Sequence, residues 1–128
     1  MLWLICAGLI VFILLSLKYC WWRPSIGFEH PRVLMYHMIS DSQPKQKHRG
    51  LRVSPEMFER QIAWLKANDW TFIKASELLT EKAQGDKRVA ITFDDGYEDN
   101  YSQALPILKK YEACATLYLV TDRHERDW

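Results

Sequence analysis

The stretch that most constrains this chain is Arg88–Phe93 followed by Asp94-Asp95-Gly96. Arg-Val-Ala-Ile-Thr-Phe is apolar and β-branched, which predicts a buried strand. Two adjacent carboxylates and a glycine end it, and the C-terminal lip of a buried strand is where α/β folds place their chemistry. Successive side chains on a strand point to opposite faces, but at a strand end the backbone bends and both can turn toward one pocket. Gly96 permits that bend. Paired carboxylates at one site suggest a division of labour, one holding a metal ion while the other stays free as a base. Asp-Gly is also a common turn dipeptide. The flanks favour chemistry over a hairpin: a strand precedes the motif, and Tyr97 to Tyr111 has a helical pattern.

The rest of the chain alternates in the same way. Arg32–Tyr36 reads as a first strand ending at His37. Met38 to Val53 is polar and irregular, with Lys45, Lys47, His48, Arg49 and Arg52, and reads as a solvated basic loop. Ser54-Pro55-Glu56 is a helix start, with a cap, a proline at the first position and an acid in the first turn. Phe58, Ile62 and Leu65 continue it as a core-facing stripe to about Asn68. A short strand is expected at Trp70–Ile73, a helix over Ala75–Ala83 with Leu78 and Leu79 inward, and a turn at Gly85-Asp86. Glu98–Tyr111 reads as helical, with Pro106 predicting a kink or a late start. Ala113–Val120 reads as another buried strand. This alternation predicts a parallel α/β sheet.

TFDDG after an apolar strand, Val33-Leu-Met-Tyr-His37 upstream and Ala115-Thr-Leu-Tyr-Leu-Val120 downstream together resemble the polysaccharide deacetylases, the NodB-homology proteins of carbohydrate esterase family 4. The similarity runs from about Arg32 to Val120, and the MYH opening resembles the branch that deacetylates poly-N-acetylglucosamine. The resemblance implies a distorted (β/α) barrel of about seven units. A complete eight-unit barrel needs about 250 residues, so the sequence of 128 residues is expected to hold the N-terminal part of such a barrel, with an open edge strand at Cys114–Val120. The expected organisation is an anchor over 1–23, a linker over 24–31 and a partial NodB-like domain over 32–128.

The resemblance also implies roles. Asp94 would be the general base, Asp95 a ligand to a divalent metal such as zinc, and His37 the general acid. A core histidine bonded to backbone is the plain alternative for His37. The substrate would be an N-acetylated polysaccharide. The family's second motif, His-x-x-x-His, supplies its other metal ligands and has no counterpart here. His124 stands alone and reads as a surface histidine. The implied function is deacetylation of N-acetylglucosamine polymer. The alternative is a non-catalytic, membrane-tethered fragment that binds glycan weakly.

Leu2 to Leu17 is almost wholly apolar, and with Lys18–Trp22 it gives about 20 residues, the reach of a bilayer-spanning helix. Trp3, Tyr19, Trp21 and Trp22 are placed like interfacial aromatic belts. A charged leader region and a small-x-small cleavage site are lacking, so an uncleaved single-pass transmembrane anchor is expected over a cleaved signal peptide. Lys18, Arg23 and Arg32 follow the span, which by charge alone would keep the domain cytoplasmic. The resemblance implies the outer, periplasmic or extracellular, side. A net charge of +1 gives no pull toward nucleic acid. Cys6, Cys20 and Cys114 make neither a disulfide framework nor a zinc knuckle.

Overall fold

A computed structural model describes residues 2–28, 30–42, 45, 47–79 and 87–121. The expected turn at Gly85-Asp86, the last part of the Ala75–Ala83 helix, and His124 lie outside the described residues.

Strand β5 (Arg88–Phe93) is the axis of the sheet, and all six of its residues are buried. Strand β1 (Arg32–Tyr36) runs parallel along one edge, from Arg32 opposite Val89 to Tyr36 opposite Phe93. The other edge is shared. Strand β4 (Thr71–Ile73) pairs with residues 88–90, and β6 (Thr116–Leu117) pairs with Thr92 and Phe93. Every pairing is parallel, as the alternation of strand and helix requires.

Helix α2 (Pro55–Ala67) covers one face of the sheet. The Ser54 hydroxyl accepts from the Met57 N–H at 3.2 Å, and Pro55 opens the first turn. Phe58, Ile62 and Leu65 are buried, as their spacing predicts. The Phe58 ring stands edge-on to Tyr36 at 5.0 Å and packs against Phe93 at 5.8 Å. Ile39, Ile91, Ala104 and Leu108 complete this core. Pro106 acts as expected but through a specific device. Residues Asn100–Ala104 form a wide π-turn, closed by the Leu105 N–H on the Asn100 carbonyl, and helix α3 (Leu105–Lys110) begins only there. A proline has no N–H and crowds the preceding turn, so it is tolerated at a helix start.

Three expectations are corrected. Met38–Val53 is not simply a loop: β2 (Met38–Ile39) pairs in parallel with β3 (Arg52–Val53), and Met38 and Ile39 are buried. The Ala75–Ala83 helix is a single 3-10 turn at Ala75–Glu77 in its described part, and Leu79 is exposed rather than inward. The last strand is two residues long, not eight. Since β4 occupies the first half of that edge of β5, only Thr92 and Phe93 are left to pair with. Leu117, Tyr118 and Leu119 are exposed.

Helix α1 (Leu2–Tyr19) has 18 residues, and apart from half-buried Ser16 every side chain from Trp3 to Tyr19 is exposed. Among the described residues no helix is long and apolar enough to cross a membrane. The helix stops before Cys20, which takes a left-handed backbone at φ 46°. Its length is about 27 Å at 1.5 Å per residue, short of the ~20-residue span expected for a bilayer core. The segment after it is fastened to the domain. The Arg32 guanidinium donates to the carbonyls of His30, Ile26 and Gly27, and Phe28 meets Trp70 edge-on at 5.8 Å.

Candidate active site

The lip of the sheet is built where β1 and β5 end side by side. Tyr36 and Phe93 are register partners, and the Asp94 N–H donates to the Tyr36 carbonyl at 2.9 Å, extending the pairing by one residue. His37 and Asp94 are therefore neighbours across the two strand ends. His37 Nε2 lies 4.0 Å from Asp94 Oδ2. That exceeds a hydrogen bond, so the two groups face one space without being locked together. Their side chains are 19% and 31% exposed, enough for solvent or a ligand to reach both.

The chain then turns sharply. Asp95 and Gly96 both have φ 71°. Aspartate is among the few side chains that tolerate this left-handed region, and glycine adopts it without cost. Asp95 lines a cleft of about 350 Å³ with Met38, Arg52, Gly96, Tyr97, Glu98 and Asp99. The two carboxylates thus take different neighbours: Asp94 meets His37, and Asp95 meets the arginine cleft. Burial pushes the Tyr97 hydroxyl pKa up, the Asp95 charge adds to this, and Arg52 works against it.

Asp94, Asp95 and His37 accordingly come to one end of the sheet, as expected from strand ends. They do not complete a metal site. Among the described residues no group of three or more His, Cys, Asp or Glu side chains could hold an ion. Asp95 alone is a single carboxylate donor, and a zinc site takes three or four protein ligands.

Arg52, Tyr97 and Asn100 escaped the sequence reading. Arg52 is delivered by the β2–β3 pair, in which it stands opposite Met38. Two-residue strands are too short for any periodic signal. Asn100 is buried at the start of the π-turn, with both amide atoms lacking hydrogen-bond partners. Only its place six residues after Asp94 could have drawn attention to it.

Residues 81–128 match the sequence model of the family described as polysaccharide deacetylase. The chain belongs to that family. YxkH of Bacillus subtilis, whose name assigns it to the polysaccharide deacetylases, is 42% identical over 92 residues, which cover 69% of this chain and 31% of that protein. The poly-β-1,6-N-acetyl-D-glucosamine N-deacetylase of Staphylococcus aureus is 44% identical over 72 residues, 54% of this chain and 25% of the enzyme. Among solved structures, the Streptococcus pyogenes deacetylase PplD in complex with acetate is 34% identical with a TM-score of 0.61, over 70% of this chain and 42% of PplD. IcaB from Ammonifex degensii shares the fold at TM-score 0.64 and 23% identity, over 82% of this chain and 44% of IcaB. The fold is therefore the NodB-like α/β fold of these proteins, and the chain spans less than a third of the length of the curated relatives it matches.

Proposed function

We propose that this chain carries the strand-end carboxylate part of a polysaccharide deacetylase site that hydrolyses the acetamide of N-acetylglucosamine polymer. The observation that carries the reading is the His37–Asp94 pair, 4.0 Å apart and open to solvent at the lip of β1 and β5. The relatives' names supply the substrate class.

Water adds to the amide carbonyl carbon while Asp94 accepts its proton, giving a tetrahedral intermediate. The carbon–nitrogen bond breaks as protonated His37 gives its proton to the departing nitrogen. The products are a free amine on the sugar and acetate. Histidine suits the second step because its pKa lies near neutrality. A divalent ion such as zinc would polarise the carbonyl in the family's chemistry. The described residues do not form its site, and Asp95 is this chain's candidate contribution to one.

The test is release of free amine from a β-1,6-linked N-acetylglucosamine oligomer. Asp94→Asn should lower the rate about 10²- to 10⁴-fold, the usual contribution of a general base. His37→Gln should lower it about 10²-fold or more. Wild-type rates in both variants would refute the assignment. A second reading is a non-catalytic glycan-binding fragment, since no three-ligand group stands among the described residues. It predicts oligomer binding with no amine release by the unaltered chain.

Helix α1 is proposed as the membrane anchor, with the domain on the outer side. The support is its apolar surface, exposed from Trp3 to Tyr19 except at half-buried Ser16, with Trp3 and Tyr19 near its ends and Trp21 and Trp22 just beyond. A span slightly shorter than the bilayer is accommodated by local thinning. The protein should stay with membranes through alkaline carbonate washing, and release into the wash would contradict an anchor.

A further inference from the structure

Strands β1, β4 and β5 run parallel and begin together: Arg32 is the register partner of Val89, and Thr71 of Arg88. Their starts form one end of the sheet, and His37 and Asp94 stand at the other. A rise of about 3.3 Å per residue puts that lip about 20 Å from the starts.

The segment that follows α1 is bound across these starts at three points. The guanidinium of Arg32, the first residue of β1, donates to the carbonyls of Ile26 and His30 at 2.7 Å each and of Gly27 at 3.1 Å. The Phe28 ring stands edge-on, at 5.8 Å, to Trp70, the residue before β4. Lys87, the residue before β5, holds its ammonium over the same ring at 5.4 Å and donates to the Asn68 carbonyl at 3.1 Å. Each contact is modest alone, but together they tie one segment to the starts of three strands.

Little chain is left free between this dock and the helix. The Arg23 N–H donates to the Cys20 carbonyl at 2.9 Å, so residues 20–23 fold into a turn on the end of α1. Only Pro24 and Ser25 separate that turn from Ile26. Three steps of extended chain reach about 11 Å at most, and proline fixes its own φ. That is about half the length of the sheet, too short for the domain to swing its lip round to the helix end.

We infer that residues 26–32 are a bracket that fixes the orientation of the domain, with the strand starts toward the bilayer and the His37–Asp94 lip away from it. This inference rests on the membrane anchor proposed above. The lip then reaches glycan standing off the membrane and not a sugar carried on a lipid of its own bilayer.

The experiment is energy transfer in phosphatidylcholine vesicles that carry a rhodamine-labelled headgroup lipid. The full chain, with Cys6, Cys20 and Cys114 replaced by serine, carries a donor dye on Thr71→Cys at the strand starts or on Glu98→Cys just past the lip. Both positions are exposed. The Glu98 dye should sit about 15–20 Å farther from the headgroups than the Thr71 dye. Phe28→Ala combined with Arg32→Gln should bring the two distances together. So should an insertion of about six Gly/Ser residues between Ser25 and Ile26, which adds about 20 Å of tether. The insertion leaves the domain's own contacts in place, so it remains readable if the double variant does not fold. Equal distances with the bracket unaltered would overturn the inference and leave the anchor intact, as would a difference that survives both changes. Protein that stays in solution apart from the vesicles would overturn both.

Discussion

Strands β5 and β6 come from runs that look alike on paper. Arg-Val-Ala-Ile-Thr-Phe and Ala-Cys-Ala-Thr-Leu-Tyr-Leu-Val are both apolar and rich in strand-forming residues. The first is buried at every position, paired on both sides. The second forms two paired residues, and Leu117, Tyr118 and Leu119 remain exposed. Local propensity sets what a run can do, while the edges available to it set what it does. β5 lies between β1 on one side and β4 and β6 on the other, whereas β6 meets only the last two residues of β5. The buried strand carries Asp94 at its end, 4.0 Å from His37 at the end of β1. An exposed apolar edge like that of β6 is a pairing surface.

The sharpest way to break this comparison is to truncate both runs. Ile91 is fully buried, so Ile91→Ala should cost about 2–5 kcal/mol in urea unfolding. Leu119→Ala should change stability by less than about 0.5 kcal/mol, as expected of an exposed position. Equal costs would mean that β6 is paired and packed as β5 is.

A smaller effect separates the core end of β1 from its surroundings. Burial raises the Tyr36 pKa from its ordinary value of 10.0 to about 12, and its hydroxyl donates to Gln61 at 2.7 Å. The folded state therefore holds this proton more tightly than the unfolded chain. Its contribution is full below about pH 10 and is lost as pH rises toward 12. Tyr36→Phe should lose about 1 kcal/mol at neutral pH and show a shallower alkaline decline. An identical decline from pH 10 to 12 in thermal melts would show that Tyr36 titrates freely.

Much of this arrangement was legible in the chain. Ser54-Pro55-Glu56 and the Phe58/Ile62/Leu65 spacing located α2, because capping and periodicity are local effects. The β5 run and the DDG turn located the lip. Pro106 announced the late start of α3, although not the π-turn that achieves it. What escaped was decided between distant segments. β3 exists because Arg52 and Val53 lie beside Met38 and Ile39. β6 is short because β4 arrives first on the same edge. Arg52 therefore looked like one more cation in a basic loop, and nothing within its own stretch marks it as a cleft residue. The apolar run suggests a span of about 20 residues only because Lys18–Trp22 continue it, whereas the helix ends at Tyr19.

The central claim is that His37 and Asp94 act as one unit across the ends of β1 and β5. The direct measurement is a double-mutant cycle on amine release from the N-acetylglucosamine oligomer, using Asp94→Asn, His37→Gln and the pair. Groups that act together are strongly non-additive. The double variant should then be no more than about threefold slower than Asp94→Asn alone. A double-variant loss equal to the product of the two single losses would show that the residues act independently, and would contradict the account.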